Sequence, residues 1–450
     1  MRKAISLALM ALVLSSTAWA ADNITLEKQI QELIQQNKLL QERIVNLEKI
    51  VGTVGVGEIC KITGKAVQPE KDLAQQPSGA AVDSITERLR QVERVIEKSK
   101  TDILKDEVES PLGPGKCRAQ LGGLIELEAF SRDDFDKSET SDISLSTVQF
   151  SLDAYPTDWS HGRLVFLYEE GEGDDHVLVD EGTVTLGNMD TFPATVTVGK
   201  KYLPFGSYLT STISDPLTLD LGETSDSVLQ ADIQFLGFYG SAYLFNGDIS
   251  ERGEDDKIDA YGAALGLANV IEDFSYDIGV EWISNIGDSD GIGDHLSDTV
   301  NGEVEDYVDG FSAHLLMAYG PVNFFAEYVG ARQSFKTSEL EFRGRGAKPE
   351  AWGLEMGYNI TLLNREALFS VGYHRTEESL ALGLPEERYL VAMSLGIFDN
   401  TTLSFEWAHD EDYDDGDFSA TCLDDDGAII NCTGSDSDAE TVTMQIAVEF

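Results

Sequence analysis

Carboxylates at alternate positions are the most conspicuous chemical signal in this chain. Glu126 and Glu128 share one parity, Asp277 and Glu281 another, and Asp232 and Glu355 sit in similarly alternating stretches. In an extended strand every second side chain points to the same face, so these six acids would line a common surface. If that surface encloses water, it lowers the entry barrier for cations. Against this stands one basic island, "RQSFKTSELEFRGRGAK", in which Arg332, Lys336, Arg343, Arg345 and Lys348 outnumber Glu339 and Glu341. Guanidinium groups hold carboxylates bidentately, so the island, with Lys201 on an inward position, is the candidate for capturing an anionic ligand. Pairing of the same cations with neighbouring acidic loops is the alternative.

Three acid-dense stretches, "DEDYDDGD", "LDDDG" and "DSDGIGD", place oxygen ligands on alternate residues near a glycine, which suits calcium. None has the EF-hand spacing, since Gly416 falls one position late after Asp410, Asp412 and Asp414. Bridging by another divalent cation at the lipopolysaccharide surface is the alternative, and no other cofactor is expected. The six histidines are scattered, and Ser312 with His314 has no third partner, so no enzyme is expected.

The elements that would position these groups are strands. Lys plus Arg number 32 against 81 Asp plus Glu, a formal charge of −49, which excludes nucleic acid as a partner. Disorder is excluded as well, because 42% of residues are apolar and 41 glycines are spread among short alternating runs. From residue 121 onward the period is two, and sixteen strands can be read between 121–130 and 438–450. Their connections alternate between short ("GP", "LLN", "DN") and long, acidic ones such as "EEGEGDDH" and "NGDISERGEDDK". An even strand number with short turns on one rim and long loops on the other predicts an all-β fold, a sixteen-stranded antiparallel transmembrane β-barrel over 121–450. A soluble β-sandwich shares the alternation. The apolar faces favour the barrel: Tyr276, Ile278, Val280 and Trp282, or Leu403, Phe405 and Trp407, end on aromatics where a membrane girdle would lie. Outer-membrane lipid and lipopolysaccharide are then the expected surroundings. The long segment "PFGSYLTSTISDPLTLDLGET" is low in charge, and by its length it either folds into the pore or caps the rim as a hairpin.

Residues 1–20 read as a signal peptide, with Arg2 and Lys3 before an apolar run and Ala18 and Ala20 at the cleavage site. Residues 21–115 read as a periplasmic α-helical coiled-coil segment preceding the barrel. Leu26, Ile30, Leu33, Asn37, Leu40, Ile44, Leu47 and Val51 form a heptad seam, which predicts a homo-oligomer. The cysteines fall as Cys60 with Cys117 and Cys422 with Cys432, and in an exported chain this even count suits two structural disulfides. The alternating "TVTMQIAVEF" should pair with the first strand near Leu121 to close the cylinder, with Phe450 as a terminal aromatic assembly signal.

Several stretches, "GGLIELEAFSRDDFD", "SDISLSTVQFSLDA", "LVFLYEEG", "VTVGKKYLPFGSYLTSTISDPLTLDLGET" and "GFYGSAYLFNGD", resemble the LbtU family of siderophore porins. The resemblance spans nearly all of 121–450, and its most specific part is the "PFG" with the "ISDPLTLDLGET" run. It implies uptake of a ferric siderophore through an outer-membrane barrel without a plug domain, and it carries over no defined site residues. General cation-preferring diffusion and a structural tether through the coiled coil are the rival functions.

Overall fold

The computed structural model describes residues 118–170, 177–189, 191–253, 257–423 and 427–450. The signal peptide, the coiled-coil segment, Cys60 and Cys117 lie outside the described residues.

The barrel strands are β1 (Arg118–Asp133), β2 (Glu139–Thr157), β3 (Ser160–Tyr168), β4 (Leu178–Gly187), β5 (Ala194–Tyr202), β6 (Ser225–Phe235), β7 (Phe238–Phe245) and β8 (Ala260–Ile271). They continue as β9 (Phe274–Ile283), β10 (Gly310–Tyr319), β11 (Val322–Ala331), β12 (Glu350–Leu362), β13 (Arg365–Glu377), β14 (Glu387–Phe398), β15 (Thr401–Glu411) and β16 (Asp438–Glu449). Each pairs with its sequence neighbours, and β16 pairs with β1, giving a closed barrel without an open edge. Each of the sixteen segments expected from period-two alternation coincides with one barrel strand.

Alternation shows which way the wall faces. On β9, Val280 is 45% exposed while Glu281 beside it is 4% exposed. A soluble sandwich would bury the valine and solvate the glutamate, so the greasy face is the outside of the cylinder. Short turns close one rim; at the β6–β7 corner Leu236 and Gly237 both take positive φ (51° and 85°), as a two-residue type I′ hairpin requires.

The long loops do not simply solvate the other rim. They fold over part of the lumen into a cap with its own core, in which Phe205, Leu221, Ile286, Ile292 and Leu296 are fully buried. Helices α1 (Leu217–Gly222) and α2 (Asp290–Val300) belong to this cap. Fully burying such side chains stabilises by about 1.5–3 kcal/mol each, which sets the acidic loops in place despite their mutual repulsion. A disulfide joins Cys422 to Cys432 across the hairpin of Phe418–Leu423 and Ile429–Thr433.

Candidate functional site

The segment between β5 and β6 folds into the lumen. Its base is closed by the Leu203 N–H donating to the Thr224 carbonyl (2.8 Å), and Gly206 at φ 85° turns the chain inward after Phe205. From there, three glutamates on the inner wall hold it. Glu327 of β11 accepts hydrogen bonds from the N–H of Ser207, the N–H of Tyr208 (3.0 Å) and the hydroxyl of Thr218 (3.0 Å). Glu355 of β12 accepts from the Thr210 hydroxyl (2.8 Å) and from both the N–H (2.7 Å) and hydroxyl (2.8 Å) of Ser211. Glu406 of β15 accepts from the N–H of Ile213, the N–H of Ser214 (3.1 Å) and the Ser214 hydroxyl. Arg388 of β14, fixed by Asp410, donates to the Asp215 carbonyl (3.4 Å). Small hydroxyl residues and bare amides in "SYLTSTIS", with the Thr218 hydroxyl, supply the donors to the three glutamates, and these mid-strand glutamates supply the charge. The loop therefore narrows the lumen, and the rim-cap alternative is set aside.

This placement revises the reading of the inner acids. Glu126 and Glu128 of β1 and Asp232 of β6 lie on the inner face and are partly exposed, with Asp232 accepting from Gln230 and Ser241. Glu355 instead fastens the loop, and Asp277 and Glu281 are 2% and 4% exposed behind it, flanking His314 at 3.6 and 3.1 Å. Those three are buried rather than lining open water: Glu355 lies under the inward loop, Asp277 accepts from the Tyr239 hydroxyl (2.8 Å) beside His314, and Glu281 sits against the same imidazole. Strand alternation places a side chain on the inner face; it says nothing about a loop lying over that face.

The basic island is engaged rather than open. Arg332 pairs with Asp309 (2.7 Å) and Lys336 with Asp306 (2.7 Å) and Glu305 (3.4 Å), while Arg343 pairs with Asp417 and Arg345 with Glu378. Lys201, on the inner face of β5, donates to the Gln230 side chain (3.0 Å). Among the acid-dense stretches, Asp412 accepts from the N–H and hydroxyl of Ser435, and Asp288 accepts from the Ile249 N–H and the Asn285 amide, both at 2.9 Å. These carboxylates act as loop ties.

Arg163 of β3 was missed by the sequence reasoning. It bridges Asp153 (3.0 Å) and Glu181 (2.9 Å) on the inner wall, beside His161, which stacks on Tyr155 at 4.5 Å. The signal was present, since Arg163 shares the parity of the inward positions in "HGRLVF".

At the seat of the cap, burial pushes three loop carboxyls up: Glu223 to about 8, with Asp290 adding repulsion, Asp288 to about 7 and Asp290 to about 6. The folded cap then binds more protons than the unfolded chain between the ordinary carboxyl range and about pH 8. The contribution of these three groups to cap stability is full below about pH 4 and is lost as pH rises through those folded values. Amide hydrogen exchange over residues 284–309, corrected for intrinsic rate, should show more frequent opening at pH 8 than at pH 5. Asp288→Asn should flatten that dependence, and an unchanged slope in this variant would remove Asp288 from the account.

No family model matches the chain. It is 27% identical over 306 residues to a UPF0422 protein of Coxiella burnetii, which covers 67% of this chain. To a UPF0422 protein of Legionella pneumophila it is 29% identical over 355 residues, 73% of this chain. The chain spans 66% of the length of each of these relatives, just short of two thirds. Among solved structures it superposes on an anion-selective porin from Comamonas acidovorans with a TM-score of 0.52, at 13% identity, covering 74% of this chain and all of that one. Salmonella typhi OmpF gives 0.50 at 10% identity, over 74% of this chain and 98% of that one. The UPF0422 proteins are thus homologues of this chain, and its described part has the fold of a sixteen-stranded porin-like channel.

Proposed function

We propose that this protein is a bacterial outer-membrane channel, narrowed by its 203–224 loop, through which a ferric siderophore is taken up. The observation that carries the channel reading is the loop itself: a low-charge segment held by glutamates at mid-strand on the inner wall of a closed barrel. A closed barrel satisfies every ladder hydrogen bond internally, so its apolar outer face can meet lipid. The siderophore as cargo rests on the resemblance to the LbtU family. The N-terminal segment would stand in the periplasm and join copies through its heptads. No cofactor takes part in this reading.

A second reading, general cation-preferring diffusion, is favoured by the partly exposed Glu126, Glu128 and Asp232 on the inner face and by the ion-paired state of the basic island. Planar-bilayer recording separates the two. Under a KCl gradient the zero-current potential should show cation preference, and Glu126→Gln with Glu128→Gln should reduce it. Ferric siderophore should interrupt the current in the siderophore reading and leave it unchanged in the general one. Absence of any conductance would leave the tether, which predicts loss of envelope integrity on removing residues 21–110. Iron-limited growth of a deletion strain on defined siderophores would then identify the cargo.

A further inference from the structure

Behind the inward loop, four buried oxygens have no hydrogen-bond partner: Glu281 Oε2, Ser312 Oγ, Tyr243 Oη and Tyr208 Oη. Their side chains converge by register. Glu281 and Ser312 are directly opposite on β9 and β10, sharing the inner face, and are 4% and 0% exposed. Tyr243, 2% exposed, lays its ring over Gly262, which pairs with Ile283 two positions from Glu281 on the same face. Tyr208 reaches in from the loop and seats its hydroxyl beside Gly222 and Val329, and Val329 is the register partner of Ser312 on β11. Burial, followed by the charges of Glu327, Glu223 and Glu281, pushes the Tyr208 hydroxyl up, in keeping with its place near those carboxylates.

Charge balance shows what is missing. Asp277, Glu281 and Glu327 occupy neighbouring inner positions on β9 and β11, and His314 is the single basic group among them. Among the described residues no lysine or arginine lies on the inner faces of β7 to β11. Three carboxylates against at most one imidazolium leave uncompensated negative charge in a dry site, which costs several kcal/mol per ion. Water would satisfy the orphaned oxygens but not the charge.

We propose that a hard monovalent metal cation, with sodium as its probe, binds between Glu281 Oε2 and the hydroxyls of Ser312, Tyr243 and Tyr208. One anionic oxygen among three neutral ones is an oxygen-only set of low charge, which favours such an ion over a softer or more highly charged one. Because Tyr208 belongs to the inward loop, the ion would tie that loop to β9 and β10 in addition to the glutamate contacts.

The test uses the full-length protein folded in detergent micelles. Its unfolding midpoint, read as the heat-modifiable shift on a gel, is compared in sodium, potassium, calcium and choline chlorides at matched ionic strength. Sodium should raise the midpoint in a saturable way relative to choline. Glu281→Gln and Ser312→Ala should each lose that sodium-specific rise while still forming the barrel, and Asp232→Asn, outside the site, should keep it. Equal midpoints in all four salts would overturn the proposal and leave water or a proton in the site. A rise retained by both site variants would overturn it too, and a rise with calcium alone would overturn the monovalent assignment.

Discussion

Replacing Glu327, Glu355 and Glu406 together by glutamine is expected to turn a narrow, steady conductance into a larger and noisier one. Each of these carboxylates accepts three hydrogen bonds from the 203–224 loop. Bonds to a charged acceptor contribute about 1.5–3 kcal/mol and neutral ones about 0.5–1.5, so the change removes roughly 1 kcal/mol per bond. The glutamine amide also brings N–H groups to face loop amides that can only donate, so part of each clasp becomes repulsive. Summed over three clasps, the loss suffices to give a fastened loop a second, detached population. The apolar seat of Leu217 and Leu221, both fully buried, would still hold the α1 end, so detachment should be confined to residues 207–215. Single-channel recording reads the mean conductance and open-channel noise together. The Asp232→Asn variant, altered on the same inner face outside the clasps, should keep the low open-channel noise of wild type. If the triple variant conducts with wild-type amplitude and noise, the loop is not what narrows the pore.

The strand order was legible because a membrane barrel imposes the strictest alternation available to a chain: every residue faces lipid or lumen. Val280 and Glu281 illustrate this, since their polarity alone puts them on opposite faces. Parity placed Glu355 and Glu281 inward just as reliably, yet their chemistry depends on a loop that is more than fifty residues away in sequence. Nothing local to "WGLEMGY" shows that Ser211 will donate to Glu355. The basic island was legible only in part: its charge surplus and the alternative of pairing with acidic loops were visible, but the partners, Asp306, Asp309, Glu378 and Asp417, come from three other loops. The cap was obscured for a different reason. Isolated apolar residues such as Ile286, Ile292 and Leu296 are diluted among acids, and their common core exists only once several loops converge.

Removing the ring of Phe450 is expected to weaken closure of the barrel, with Gly123 as its partner in the effect. Beyond the regular β1–β16 ladder, Phe450 N–H donates to the Gly123 carbonyl (3.0 Å) and Gly123 N–H donates to the Phe450 carbonyl (2.8 Å), extending the seam by one residue pair. The tip of the ring lies against Gly123, where a Cβ on that residue would collide with it. The glycine has no positive φ to require it, so the close approach of the ring is what calls for a residue without a side chain. Phe450 stays 66% exposed, so the covered third of its side chain contributes on the order of 0.5–1 kcal/mol, at the pair of strands whose meeting completes the fold. Phe450→Ala should therefore lower the fraction of heat-modifiable, membrane-inserted barrel, and Gly123→Val should do the same by displacing the ring. Because both act through one contact, the double variant should fall short of the sum, a coupling that a merely greasy rim position would not show. Additive losses would assign Phe450 a role at the seam that does not run through Gly123. Normal insertion of Phe450→Ala would mean the ladder hydrogen bonds close the cylinder unaided, because the backbone pairing survives that substitution while the ring does not.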